Sequence, residues 1–298
     1  MKKFAAKCVL ALSLAVPVLL PAVAAEDPFA RARIGWNLPM KPFPVIANIY
    51  YVGTAGTSAF IISTPRGLIL TDGGLPESAQ RVEANIKTMG FDLRNVKILL
   101  NSHAHFDHAG ALAKLKRDSG ARLVASEADK PFLEKGLISF GPSVADPFPP
   151  VTVDRTVKDG DTVSLGGVTL TAHLTPGHTP GCTTWTMPIT SGGETLQVMF
   201  FCSITGGGNP LVNNQAYPAI ASDYKATFAK LKTMDADIFL APHGEQFGLT
   251  KKLAAMQANA GNAAAPNPFI DKGEFHSFMA QQEKQFDAEL AKQTAAAP

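Results

Sequence analysis

Charge is sparse and almost evenly balanced in this chain of 298 residues, with 27 Lys and Arg against 25 Asp and Glu and only 17% of positions charged. No block of five or more like charges occurs, so the sequence carries neither an acidic tail nor a basic surface for a nucleic-acid partner. It also lacks a heptad run and a Gly-X-Y period, which excludes a coiled coil and a collagen helix. Past the N-terminal residues, no apolar stretch reaches the roughly 18 residues that a bilayer crossing takes. Cysteine is rare, limited to Cys8, Cys182 and Cys202. Apolar residues, by contrast, make up 46% of the chain, enough for a sizeable core and too many for a disordered polypeptide.

Residues 1–25 read as a leader for export. Lys2 and Lys3 form a basic start, residues 8–20 a short apolar stretch, and Ala22-Val23-Ala24-Ala25 a small-residue cleavage region. A mature protein in the periplasm, without membrane attachment, is expected. Losing Lys2, Lys3 and Lys7 takes the formal charge from +2 to −1, and losing Cys8 leaves two cysteines. In an oxidising compartment that pair invites a disulfide.

From residue 49 onward, short β-rich runs alternate with turns, at 49–52, 58–63 and 67–71. A helix is expected over 77–89, stopped by Gly90. Residues 96–100 (Val-Lys-Ile-Leu-Leu) have the near-continuous apolar character of a strand buried on both faces. A histidine-rich loop and a helix at 111–117 follow, and the strand–helix alternation repeats at 122–125 and 128–135. Residues 136–150 are rich in Pro and without periodicity, so they read as a long loop, a usual place for function. The chain then turns β-rich at 162–165, 168–174, 183–187 and 196–201. A helix at 220–234, a buried strand at 238–240 and a helical C-terminal part complete it. Strands followed by helix recur in both halves with no linker between them. One α/β domain over residues 26–298 is therefore expected, with helices outside two packed sheets.

The most informative segment is Asn101-Ser102-His103-Ala104-His105-Phe106-Asp107-His108. His103 and His105, two residues apart at a strand's end, point the same way and can share one ion. Asp107 and His108, in the following turn, can face a second. Imidazole and carboxylate donors without thiolate suit a catalytic zinc with an open coordination position. Four such residues bunched after an apolar strand would otherwise each need a partner. His178 lies in Thr175-Pro176-Gly177-His178-Thr179-Pro180-Gly181, and His243 in Ala241-Pro242-His243-Gly244. Gly and Pro around each fix the loop backbone and allow close approach. His173 and His276 read as ordinary histidines.

On these residues the sequence resembles the metallo-β-lactamase fold superfamily, and within it the subclass B3 zinc β-lactamases. The resemblance implies a four-layer αβ/βα sandwich of two mixed sheets. It implies two zinc ions per chain, one on His103, His105 and His178 and the other on Asp107, His108 and His243. It further implies hydrolysis of the β-lactam amide bond, a small-molecule substrate, by a metal-bound hydroxide that Asp107 orients. A subclass B1 enzyme would carry Arg where His108 stands. Lactonases and glyoxalase II-like thioesterases, the alternative hydrolases of this fold, carry an acid bridging both metals about 24 residues past the His178 equivalent. Here residues 200–205 hold no acid.

Further expectations concern the surroundings of these residues, the first from the resemblance and the rest from the residues themselves, with Asp72 open also to a purely turn-forming role. Ser203 and Thr205 match hydroxyl positions that contact the substrate carboxylate. Asp72, in Leu70-Thr71-Asp72-Gly73-Gly74, could accept the N–H of a ligand histidine. Cys202 has two readings: a disulfide with Cys182, or a thiolate on the second zinc. Trp36, Phe140 and the 136–150 loop are candidates for apolar walls of a substrate groove. A monomer is the default expectation.

Overall fold

A computed structural model of the protein describes residues 29–262 and 264–297; the expected leader lies outside them. The first sheet has seven strands in sequence order: β1 (Phe43–Ile46), β2 (Ile49–Tyr51), β3 (Phe60–Thr64), β4 (Gly67–Thr71), β5 (Val96–Leu100), β6 (Arg122–Ser126) and β7 (Arg155–Val157). The second has five, in the order β12 (Ile238–Leu240), β11 (Glu194–Phe200), β10 (Thr183–Ser191), β9 (Val168–Leu174) and β8 (Thr162–Leu165). Both sheets mix parallel and antiparallel pairs, as expected of the four-layer architecture.

Strand periodicity sorts the first sheet's side chains between two apolar layers. Ile61, Leu68, Leu70 and Leu99 face outward. There they meet α2 (Ala79–Thr88), through Ala79, Val82 and Ile86, and α4 (Leu112–Ser119), through Leu112 and Leu115. Phe60, Ile62, Ile69 and Leu100 face inward and share a core with Trp185, Met187, Val198 and Phe200 of the second sheet. On the far side of that sheet, α6 (Ile220–Leu231) and α8 (Glu274–Ala296) close the fourth layer. The Phe286 ring of α8 lies 5.1 Å from Tyr224 and 5.4 Å from Phe228, which sit one helical turn apart on α6. No helix among the described residues is long and apolar enough to cross a membrane.

Three elements were not expected from sequence: α1 (Ala30–Trp36), β1 and β7. α1 has no side-chain cap and no buried residue, hence no periodic stripe to betray it. β1 contains Pro44, which is tolerated because β1 is an edge strand. β7, the opposite edge, is only three residues long. Asp107 and His108 also lie in a one-turn helix, α3 (Phe106–Ala109), rather than in a turn. The 220–234 helix ends at Leu231, and the 136–150 loop contains a 3-10 turn, Pro142–Ala145.

Strand direction fixes where chemistry collects. β4, β5 and β6 run parallel to one another. In the second sheet β9 and β11 are both antiparallel to β10, and β12 is parallel to β11. The loops leaving β4, β5, β9, β11 and β12 therefore emerge along one edge of the sandwich, where carboxyl ends of strands in α/β sheets present their functional groups. Two cross-sheet bonds tie that edge together, Thr183 N–H to Ser102 O (2.8 Å) and Ser58 N–H to Pro242 O (2.8 Å).

Candidate metal centre

Six of the residues singled out from sequence meet at this edge as two sets. His103 and His105 leave β5 and meet His178 from the β9–β10 loop; Asp107 and His108 on α3 meet His243, just past β12. Within each set the donor atoms lie within 4.8 Å of one another. His105 Nδ1 is 3.0 Å from His178 Nε2. In the second set His108 Nε2 and His243 Nε2 are 3.2 Å apart, and Asp107 Oδ2 lies 3.2 and 3.4 Å from them.

Outer contacts decide which nitrogen each ring presents. His178 Nδ1–H donates to Thr205 O (2.8 Å), and His243 Nδ1–H donates to Gly56 O (2.9 Å). A carbonyl accepts only, so both rings carry their proton on Nδ1 and turn an Nε2 lone pair inward. His103 Nδ1 lies 3.0 Å from Ser102 Oγ, and its buried Nε2 has no partner. Gly177, with φ of +133°, lets the His178 loop pass the Tyr224 ring, which a Cβ there would meet at 2.8 Å.

Burial sets the charges. It depresses His103 and His105 well below the usual imidazole range and His178 to about 4, the last partly opposed by the Thr205 carbonyl. Those three rings are neutral near pH 7. Burial pushes Asp107 upward, yet the His108 charge and hydrogen bond, with His243 close by, hold its carboxyl well below the usual range. For His108, burial works downward but the Asp107 carboxylate prevails and raises it. Three neutral imidazoles in one set, and an ionised carboxylate with two more imidazoles in the other, are donor sets for divalent metal ions.

The remaining expectations fare unevenly. Asp72 follows β4 in the left-handed region (φ +52°), and its Oδ1 accepts from Ser102 N–H (2.8 Å) and the Asn101 amide (3.1 Å). It thus braces the loop under His103, and no histidine N–H bonds to it. Burial raises its pKa despite the neighbouring His108 charge. Ser203 and Thr205 follow β11, with hydroxyls 3.4 Å apart. Trp36 reaches the site, its ring 5.1 Å from that of His243. Phe140 does not: it is buried against Tyr217 (5.2 Å), which removes it as a groove wall. Cys182 and Cys202 form a disulfide, so Cys202 is not a thiolate ligand. His173 bonds with Thr186 and His276 with Asp235, both outside the two sets.

Sequence reasoning missed Asp129. Its side chain is 1% exposed and accepts from Ala104 N–H (2.9 Å), Thr179 O–H (2.7 Å) and Gly181 N–H (2.7 Å). Burial pushes its pKa up to about 6 against those bonds. Asp129 falls within the helix expected over 128–135, where local spacing gives no sign of these contacts.

A sequence profile described as the metallo-beta-lactamase superfamily matches residues 52–192. Among solved structures, the subclass B3 metallo-beta-lactamase BJP-1 of Bradyrhizobium japonicum is 47% identical, with a TM-score of 0.83 over 89% of this chain and 99% of that one. The native FEZ-1 metallo-beta-lactamase from Legionella gormanii is 39% identical, with a TM-score of 0.82 over 87% and 98%. A hydroxyacylglutathione hydrolase of Hyphomonas neptunium is 41% identical over 83 residues, 27% of this chain and 25% of that protein. The chain spans from a quarter to about half of the length of the curated relatives it matches.

Proposed function

Because the chain belongs to the metallo-β-lactamase superfamily, on its subclass B3 branch, we propose that it is a zinc-dependent β-lactamase that hydrolyses the amide bond of β-lactams. The observation that carries this reading is the segment after β11, which holds Cys202, Ser203 and Thr205 and no acid. Those residues replace the bridging acid of the thioester hydrolases, which speaks against the glyoxalase II-like alternative despite its curated relatives. In the second donor set, His108 joins Asp107 and His243 with donor atoms 3.2–3.4 Å apart.

His103, His105 and His178 would hold one zinc ion, and Asp107, His108 and His243 a second. Bound zinc supplies Lewis acidity, activating water near neutral pH and polarising a carbonyl. The chain's own part is orientation. The Thr205 and Gly56 carbonyls engage Nδ1 of His178 and His243 and so turn each Nε2 inward. Asp107, ionised, accepts a hydrogen bond from the attacking water and orients it. The Ser203 and Thr205 hydroxyls donate to the substrate carboxylate, and Trp36 lends an apolar wall beside His243.

Export through residues 1–25 to the periplasm, a single domain over 26–298 and a monomeric state belong to the same proposal. The disulfide supports the oxidising compartment. Replacing Asp107 by Ala tests the reading: cephalosporin hydrolysis should fall at least about 100-fold with the circular-dichroism spectrum unchanged. An unaltered rate would overturn it.

A further inference from the structure

Asp129 is an expensive residue for the fold to keep. Its carboxylate is 1% exposed, and among the described residues no Lys or Arg pairs with it. A buried carboxylate survives such a place only by filling its lone pairs with donors, and this one has three. The donors come from the two loops that bear the three-histidine set. Ala104 N–H is the backbone between His103 and His105. Thr179 O–H and Gly181 N–H lie one and three residues past His178. Asp129 itself is anchored where β6 gives way to α5 (Lys130–Lys135), with its own N–H on Ser126 Oγ (3.2 Å). Gly181 is part of the device, because a Cβ there would meet Ser126 Oγ at 2.0 Å and Asp129 Cγ at 2.7 Å.

We infer that Asp129 is the positioning residue of the three-histidine set, clamping the loop of His103 and His105 and the loop of His178 at the separation where their ring nitrogens converge. It touches none of the three rings, so it acts through the backbone. Each of its oxygens serves a backbone N–H, Oδ1 that of Gly181 and Oδ2 that of Ala104. An Asn side chain has one carbonyl oxygen and one NH2 group. Whichever way Asn sat, one backbone N–H would face another donor and one loop would be released. The Thr179 hydroxyl rotates and could adapt; a backbone N–H cannot.

The inference rests on the zinc reading of the histidines, and its test separates the two. Zinc affinity of the chain lacking its leader is measured by competition with a chromophoric chelator, for wild type and Asp129→Asn. Thermal midpoints are recorded with zinc and with chelator. Cobalt-substituted samples report ligand geometry through the visible d–d bands. Asp129→Asn should bind the tightest zinc about 10- to 100-fold more weakly, the range for loss of a group that orients a metal ligand. Its zinc-induced rise in thermal midpoint should shrink accordingly, and its cobalt bands should weaken. A residue that merely stabilised the fold would lower both midpoints equally and leave affinity and bands unchanged, and that result would overturn the inference. Wild type failing to bind zinc would instead overturn the zinc reading. Should Asp129→Asn fail to fold, Thr179→Val removes one of the three bonds without disturbing either backbone donor. It should weaken zinc binding several-fold while Thr179→Ser restores it; equal affinities for Val and Ser would also overturn the inference.

Discussion

Removing the disulfide by the double change Cys182→Ala and Cys202→Ala should destabilise the protein by roughly 4–5 kcal/mol while leaving its zinc stoichiometry intact. The bridge closes a loop of 20 residues between the start of β10 and the end of β11. On the chain-entropy model a loop of that size is worth about 3 kcal/mol. Both cysteines are fully buried, so deleting two sulfurs adds on the order of 1–2 kcal/mol of lost packing. The site should survive, because the loop under His103 has other holds. Asp72 accepts from Ser102 and Asn101, and Ser102 O accepts from Thr183 N–H. The assay is urea unfolding of the chelated protein, wild type against double variant, with zinc content by mass spectrometry and a thiol titration of the denatured wild type. The m-value should rise as the unfolded chain loses its cross-link and expands. A loss below about 1 kcal/mol would refute the loop-closure reasoning. Loss of one zinc at little cost in stability would refute the disulfide itself and return Cys202 to the metal.

Acid should weaken the chelated protein, because burial holds His103, His105 and His178 below their unfolded values. The His178 pKa is about 4 when folded against 6.5 unfolded, so the unfolded chain binds more protons between those values. Stability from the His178 ring alone rises as pH climbs from about 4 to 6.5, by up to about 3 kcal/mol. Asp129, raised to about 6, offsets most of that between about 4 and 6. His103 and His105, depressed in the same direction, therefore carry the net rise, which urea titrations at stepped pH check. Trp36→Ala removes a ring that meets His243 at 5.1 Å and Phe106 at 6.3 Å, and should cost roughly 1–2 kcal/mol by thermal unfolding. Phe286→Ala unpins α8 from Tyr224 and Phe228 and should cost about 3–5 kcal/mol, read by the same unfolding assay, with catalytic constants unchanged at low temperature.

The sandwich was legible where burial shows in the strand residues, even in β12, an edge strand whose three residues are all buried. Residues 96–100, 168–174 and 238–240 are marked by apolar runs and alternation, and the C-terminal stop at Gly90 marks a helix. The elements that escaped, α1, β1 and β7, are short and bury two residues or fewer each, too few to write a pattern into the sequence. The six donors were legible for a related reason. A run of His103, His105, Asp107 and His108 after an apolar strand has few other uses, and Pro and Gly flag the loops of His178 and His243. The supports of those donors were not legible. Thr205 and Gly56 act through backbone carbonyls, which any residue type provides. Asp129 and Asp72 act through contacts 25 to 52 residues away in the chain, and local spacing does not encode them.

Hydrolysis of a chromogenic cephalosporin by the chain lacking residues 1–25, followed before chelation, after chelation and after zinc is returned, tests the central claim most directly. The account predicts turnover that disappears with the chelator and returns with zinc. A protein shown to hold zinc on both donor sets that leaves the cephalosporin intact, and cleaves a glutathione thioester instead, would contradict it.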